Sequence, residues 1–250
     1  MKKTSPPFLP RPYAVPSNRY YSPTRFSKDE PITLTGDEAH HLLRVMRTKT
    51  HEEIEVVNGY GELAIASLQK IVKDSAELKI VSISYEEPGP QIILAQAIPR
   101  NNRLEYILEK GTELGASSFW LFPSINSEKE IFSHNQQHRQ EQILISAMKQ
   151  CGRLHLASRL VKPDLLSWES IDGTLLFGDT RKQAPPLSHA LHKPIKEPLV
   201  LFIGPESGFH PKEIQFLEER LCAKGVSLHH NILRVDTAAI AALSVISSLL

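Results

Sequence analysis

Three short segments of this 250-residue chain join glycine or charge to apolar residues in a way that could hold a small ligand. They are Phe177-Gly178-Asp179, Gly204-Pro205-Glu206-Ser207-Gly208-Phe209 and Ile232-Leu233-Arg234-Val235-Asp236-Thr237. Glycine lets the backbone approach a ligand closely, and free amides in such bends can bind a carboxylate or the edge of an adenine. The central segment is not a P-loop, because no Gly-Lys-Ser/Thr follows, and it lacks the GxGxxG dinucleotide fingerprint. Without a P-loop lysine or paired metal-binding carboxylates, phosphoryl transfer is a distant reading. The two cysteines, Cys151 and Cys222, form no CxxC pattern. They argue against a disulfide scaffold or a cysteine zinc site and suit a reducing, cytoplasmic setting. His40-His41 and His229-His230 are adjacent pairs. Neighbours on a helix diverge by about 100°, and neighbours on a strand point in opposite directions. Neither pair converges as zinc requires, so no metal is expected.

Bends of this kind need strands behind them. From Ile92 onward the pattern alternates between apolar runs and helical periodicity. Ile92–Ile98, Ser118–Phe122, Thr174–Phe177, Leu199–Ile203 and Val226–Leu228 read as strands. A helix capped by Asn101 or Asn102 places Leu104, Ile107, Leu108 and Gly111 on one face. A second helix runs Arg139–Cys151 and stops at Gly152. A third starts at Pro211, buries Ile214, Leu217 and Leu221, and stops at Gly225. The last begins at Asp236 or Thr237. This rhythm predicts an α/β domain with a mainly parallel sheet, whose ligands bind beyond the carboxyl ends of the strands. Before it, Ile32–Thr35, Glu53–Val57, Glu62–Leu68 and Ala76–Tyr85 read as strands. Asn58-Gly59 marks a turn, and a short helix Glu38–Arg47 has Leu42, Leu43, Val45 and Met46 as its apolar side. Together these suggest a small β-barrel-like module. Glu86–Pro90 reads as a linker, which divides the chain into residues 1–18, 19–87 and 88–250.

The hydrophobic fraction of 41% and charged fraction of 23% allow a sizeable core. A net charge of +1 provides no global basic field. The charge is uneven, however. Met1–Lys28 carries Lys2, Lys3, Arg11, Arg19, Arg25 and Lys28 with no acidic residue, interleaved with Phe8, Tyr13, Tyr20, Tyr21 and Phe26. Cations can meet phosphates and rings can stack on bases. Met1–Ser17 reads equally well as a solvated, proline-rich tail. The most apolar stretch, Ala238–Leu250, is short beside the roughly 20 residues a membrane span needs. Serines interrupt it, so it reads as a buried helix with no membrane role.

Five of these segments, in order, resemble the motifs of the RsmE family of 16S rRNA (uridine-N3)-methyltransferases, part of the SPOUT superfamily. Gly36-Asp37-Glu38-Ala39-His40-His41-Leu42-Leu43-Arg44-Val45 resembles GDEAHHLLRV, and Glu109–Gly115 resembles EKATELG. Lys149–Arg153 resembles EQSGR, Ile203–Phe209 resembles IGPEGGF, and Ile232–Ala239 resembles ILRTETAA. The resemblance spans roughly Arg19 to Leu250. It implies an N-terminal PUA-like RNA-binding domain and a C-terminal SPOUT α/β domain with a trefoil knot whose loops hold S-adenosyl-L-methionine. It also implies a homodimer acting on the small ribosomal subunit. Here Val235 and Asp236 replace the family's Thr and Glu, Ser207 replaces a glycine, and His229, His230 and Asn231 precede the final motif.

On this reading Phe177, Gly178, Gly204, Pro205, Glu206, Gly208, Leu228, Ile232, Leu233 and Thr237 line the cofactor site. Uridine N3 carries a proton whose loss puts negative charge on the flanking carbonyl oxygens. Arg234 is expected to stabilise that charge, with Asp236 taking the proton or orienting Arg234. The alternative for Asp236 is a plain helix cap. A local proton acceptor at His229 or His230 is a further expectation. Arg19, His40, Arg44, Arg47, Arg103 and Arg153 are expected to contact 16S rRNA. The competing reading is a non-catalytic ribosome-assembly binder whose cofactor pocket has decayed.

Overall fold

The computed structural model describes residues 18–127 and 132–250. The expectations placed on Met1–Ser17 fall outside these described residues. The first half is a five-stranded sheet with a short helix. Its elements are β1 (Arg19–Tyr21), β2 (Ile32–Leu34), α1 (Gly36–His40), β3 (Glu53–Val57), β4 (Glu62–Val72) and β5 (Ser75–Tyr85). The strand order is β1-β3-β4-β5-β2. β1 joins β3 in parallel and the other pairings are antiparallel. The β3–β4 turn follows from Asn58, whose Oδ1 accepts the Tyr60 N–H at 2.8 Å while Gly59 takes a φ of 78°. Tyr20, Leu34, Ala39, Leu42, Val56, Leu68 and Leu78 form the core of this half.

After α1 the backbone passes directly into a π-helical turn, His41–Val45. The wider turn rotates the following side chains away from the α-helical face. Leu42 is buried, but Val45 is 58% and Met46 41% exposed, which corrects the apolar side expected for this helix.

The second half is a six-stranded sheet in the order β11-β9-β10-β6-β7-β8, with every neighbouring pair parallel. The chain runs β6 (Ile92–Ala97), α2 (Asn101–Glu113), β7 (Ser118–Phe122), α3 (His134–Cys151), β8 (Ser158–Val161), β9 (Thr174–Gly178), α4 (Leu187–Leu191), β10 (Leu199–Ile203), α5 (Pro211–Glu219), β11 (Lys224–Val226) and α6 (Val235–Leu249). Every residue of β6 and β10 is buried, because helices cover both faces. Leu94, Leu201, Leu108 and Leu243 meet on one face. Ala95, Phe122, Phe202, Trp168 and Leu217 meet on the other.

Local chemistry explains several boundaries. α3 starts at His134, earlier than its periodicity suggests, because Ser133 and Gln136 form a reciprocal capping box. It ends at Gly152 in the left-handed conformation, φ 84°. α2 is entered at Arg100, which holds the capping position ahead of both asparagines without a side-chain bond. α5 has Pro211 in its first turn behind His210, but it stops at Glu219, and Gly225 lies inside β11. At the head of α6 the capping position is Arg234, so Asp236 is not the cap.

The two halves touch across a seam. Val57, Met148 and Leu154 share a buried cluster, Lys149 pairs with Glu38, and backbone bonds join Gly61 to Leu154 and Leu156 to Gly59. Residues 86–91 between the sheets have no regular structure, though Glu86 N–H reaches back to Gly61 O at 2.9 Å. Among the described residues no helix is long and apolar enough to cross a membrane.

Candidate cofactor cleft and active site

Parallel pairing aligns the carboxyl ends of three strands. Phe177 of β9 faces Phe202 of β10, and Gly178 of β9 faces Val226 of β11. The loops leaving these ends enclose a cleft of about 620 Å³. Its walls are Phe177–Lys182, Ile203–Phe209 and Ser227–Leu233, with Ile214, Val235 and Ala238 from the helices. The size suits a nucleoside-sized ligand.

The glycines shape the walls. A Cβ on Gly178 would sit 3.3 Å from Leu228 Cδ1 and 3.4 Å from Ile203 Cδ1. On Gly204 it would come within 3.1 Å of the Phe209 nitrogen. Gly208 needs its freedom for a different reason: φ is +76° and its N–H closes a turn onto Pro205 O at 2.9 Å. Gln96 holds the end of β10 from below, its buried amide donating to Ile203 O and Gly204 O, each at 3.4 Å.

At the β9 end, Asp179 is buried and accepts from Arg181 N at 2.9 Å and from the Arg181 guanidinium. The hydrogen bonds it donates to Asp179 and then to Glu218 hold the Arg181 guanidinium above its ordinary pKa. A Cβ on Gly225 would lie 2.5 Å from Asp179 Oδ2, so the glycine read as a helix stop is in fact the space this carboxylate occupies. Thr180–Lys182, beyond the Asp179 that the sequence offered, is the stretch least visible in it. Its only signal was polar residues directly after an apolar strand.

Of the expected cofactor residues, Phe177, Gly178, Gly204, Pro205, Glu206, Gly208, Leu228, Ile232 and Leu233 all line this cleft. Thr237 does not, and it is exposed. Val235 and Ala238, three apart on α6, face the cleft and turn Thr237 outward. His229 and His230 also line the cleft, with ring centroids 4.0 Å apart. They leave it open, which removes the ground for a decayed pocket. The N–H of Asn231 donates to His229 Nδ1 at 3.1 Å. That ring nitrogen is therefore already engaged by the backbone. The apolar walls, the glycine bends and the open volume fit S-adenosylmethionine. Among the described residues no group of three or more His, Cys, Asp or Glu could hold a metal ion.

Arg234 is exposed at the head of α6, and Asp236 is half-buried in its first turn. The Asp236 carboxylate pairs with Arg103, so the orientation of Arg234 by Asp236 has no support here.

The arginines expected on RNA separate into two groups. His40, Arg44 and Arg47 are exposed around the π-helical turn. Arg19 is withdrawn: its side chain is 9% exposed and paired with Glu55 at 2.7 Å. Arg153 donates to Thr112 O and Ala116 O, each at 2.8 Å, closing the carboxyl end of α2. Arg103 faces Glu206 and Asp236 beside the cleft. In these three, carbonyls and carboxylates remote in sequence hold the guanidinium groups.

The comparisons with known proteins match this architecture in both halves. Residues 86–247 match an RNA methyltransferase domain and residues 34–81 an RNA methyltransferase PUA domain. The ribosomal RNA small subunit methyltransferase E of Synechocystis is 33% identical, over 88% of this chain and 73% of that protein. The Bacillus subtilis protein of the same name is 27% identical, over 86% and 89%. The structure of that enzyme from Neisseria gonorrhoeae bound to S-adenosyl methionine superposes with a TM-score of 0.81 at 26% identity, covering 93% of this chain and 97% of that one. Lpg2936 from Legionella pneumophila, in complex with the cofactor SAM, gives 0.83 at 26% identity, covering 92% and 96%. An open cleft at the ends of β9, β10 and β11 and two matched domains lead to one conclusion: the chain belongs to the RsmE family of S-adenosylmethionine-dependent, SPOUT-type ribosomal RNA small-subunit methyltransferases.

Proposed function

We propose that the acceptor is N3 of a uridine in 16S rRNA, presented by the small ribosomal subunit in the cytoplasm. S-adenosylmethionine supplies an already activated methyl group, so the protein's task is placement of the acceptor and removal of its proton. The observation that carries the reading is the head of α6. It sets an exposed cation, Arg234, and a carboxylate, Asp236, on one helix whose Val235 lines the cofactor cleft. As N3 loses its proton, charge grows on the neighbouring carbonyl oxygens. The Arg234 guanidinium and the first-turn N–H groups of α6 stabilise it, and Asp236 accepts the proton. A cytosine or an adenine amino group would place no comparable charge there.

Residues 19–87 act as the RNA-docking module and residues 88–250 as the catalytic one. His40, Arg44 and Arg47 form the exposed contact surface of the first. A homodimer is supported by Ile232, a cleft-wall side chain left 86% exposed in the single chain, where a second copy would cover it.

Deleting the gene and mapping modified uridines in small-subunit RNA by mass spectrometry tests the reading. One N3-methyl mark should vanish and return on complementation. Loss of a mark at another base atom would overturn it. Arg234→Ala should cut turnover by about 100- to 1000-fold. If Asp236→Ala lowers thermal stability but keeps turnover, the carboxylate is not the proton acceptor.

A further inference from the structure

Arg103 lies in the first turn of α2, outside the cleft wall, yet its guanidinium faces two carboxylates that belong to different segments, one in a loop and one in a helix. Nε is 3.6 Å from Glu206 Oε1, and Nη1 is 3.5 Å from Asp236 Oδ1. Glu206 is in the glycine bend that walls the cofactor cleft, and Asp236 is at the head of α6. The same Glu206 oxygen accepts the backbone N–H of Arg100 at 3.2 Å, which anchors the bend on the amino end of α2. The three side chains are 24%, 32% and 28% exposed. They are accessible to ions but shielded on one side.

We propose that Arg103 is a positioning residue that clasps the cofactor bend to the head of α6, so that methyl donor and acceptor base are aligned by one guanidinium. The physical reasons are three. Two carboxylates gathered around one site repel unless a cation separates them. A guanidinium is a rigid fork that presents donors to two partners in fixed geometry, which a lysine ammonium does not. Finally, α2 is a firm mount: Leu104, Ile107 and Leu108, directly behind Arg103, are fully buried. Loosening the clasp lets the two loops drift, and misplacement of about 1 Å at a reacting centre costs on the order of 100-fold in rate. The proposal rests on the cofactor cleft and not on which base atom is methylated.

Two readouts test it. Calorimetry measures S-adenosylmethionine affinity without RNA. Transfer of labelled methyl to small subunits from the deletion strain measures kcat and KM, whatever the position modified. Arg103→Ala should lower kcat about 100-fold and weaken cofactor binding about tenfold. Arg103→Lys should recover affinity more than kcat. Arg139→Ala, which removes the partner of Glu105 on the same helix, should change neither. The decisive measurement is a triple cycle. Glu206→Gln and Asp236→Asn should be non-additive in kcat/KM by about five- to tenfold in the parent enzyme, and additive once Arg103 is Ala. Arg103→Gln serves if the alanine variant unfolds. Additivity in the parent, or a lowered Tm with kcat and cofactor affinity unchanged, overturns the clasp. Absence of uridine-N3 methylation with the triple cycle intact would remove the substrate assignment and leave the clasp standing.

Discussion

The two sheets solve the problem of burying a β-surface differently, and the difference decides where function can sit. In the amino-terminal sheet β5 alternates: Ala76, Leu78 and Ile80 face inward while Lys79 and Val81 face out. One face stays wet and carries exposed side chains. In the carboxyl-terminal sheet β6 and β10 are buried along their whole length, so polar chemistry is excluded from the faces and gathers in the loops at the strand ends. The arginines follow the same division. Those on the exposed π-helical turn stand in solvent, while Arg103 and Arg153 are drawn into contacts at the two ends of α2.

Substitutions can break or sharpen this contrast. Phe202 lies in β10 and contacts the Trp168 ring at 5.7 Å. Phe202→Ala should cost about 3–5 kcal/mol in urea unfolding; a loss below about 1 kcal/mol would show the doubly covered sheet to be loosely packed. Gly225→Ala comes next. Its Cβ would meet Asp179 Oδ2 at 2.5 Å and Phe177 Cζ at 2.9 Å. Crowding should cost about 1–3 kcal/mol and weaken cofactor binding by displacing the β9 wall, as calorimetry would show. Arg153→Ala leaves the carbonyls of Thr112 and Ala116 without their charged donor and should cost about 2 kcal/mol, with little change in RNA affinity at any salt concentration. The smallest effect belongs to the wet face. Replacing Arg44 and Arg47 together should leave stability within about 0.5 kcal/mol. The salt dependence of RNA binding should flatten by about 0.7–0.9 for each phosphate no longer neutralised. An unchanged slope would take these residues off the RNA.

Much of the cleft was legible because its signals are local. An apolar run followed by glycine marks a strand end, and two of the three ends that wall the cleft, Phe177-Gly178 and Ile203-Gly204, carry that signal. Glu53–Val57, Ser118–Phe122 and Leu199–Ile203 have the bounds their patterns predict. The short strands β1 and β8 and the helix α4 escaped notice, each being too short for a period to show. Gly225 misled because a glycine after a helix is usually its stop, whereas here residues 220–223 intervene, bonded back to the last turn of α5, and the glycine makes room for Asp179.

By itself the sequence determined the class of the sheet and most of its strands, since each depends on patterns a few residues long, and the motifs that resemble a known family pointed to nine of the residues along the cleft. The roles of the arginines were decided only by the tertiary structure. Arg103 meets Asp236 across 133 positions of chain and Arg153 meets Thr112 across 41. A guanidinium has the same appearance in a sequence whether it faces water, phosphate or a carboxylate. The field around it is set by whatever the fold brings near, and no local pattern records that.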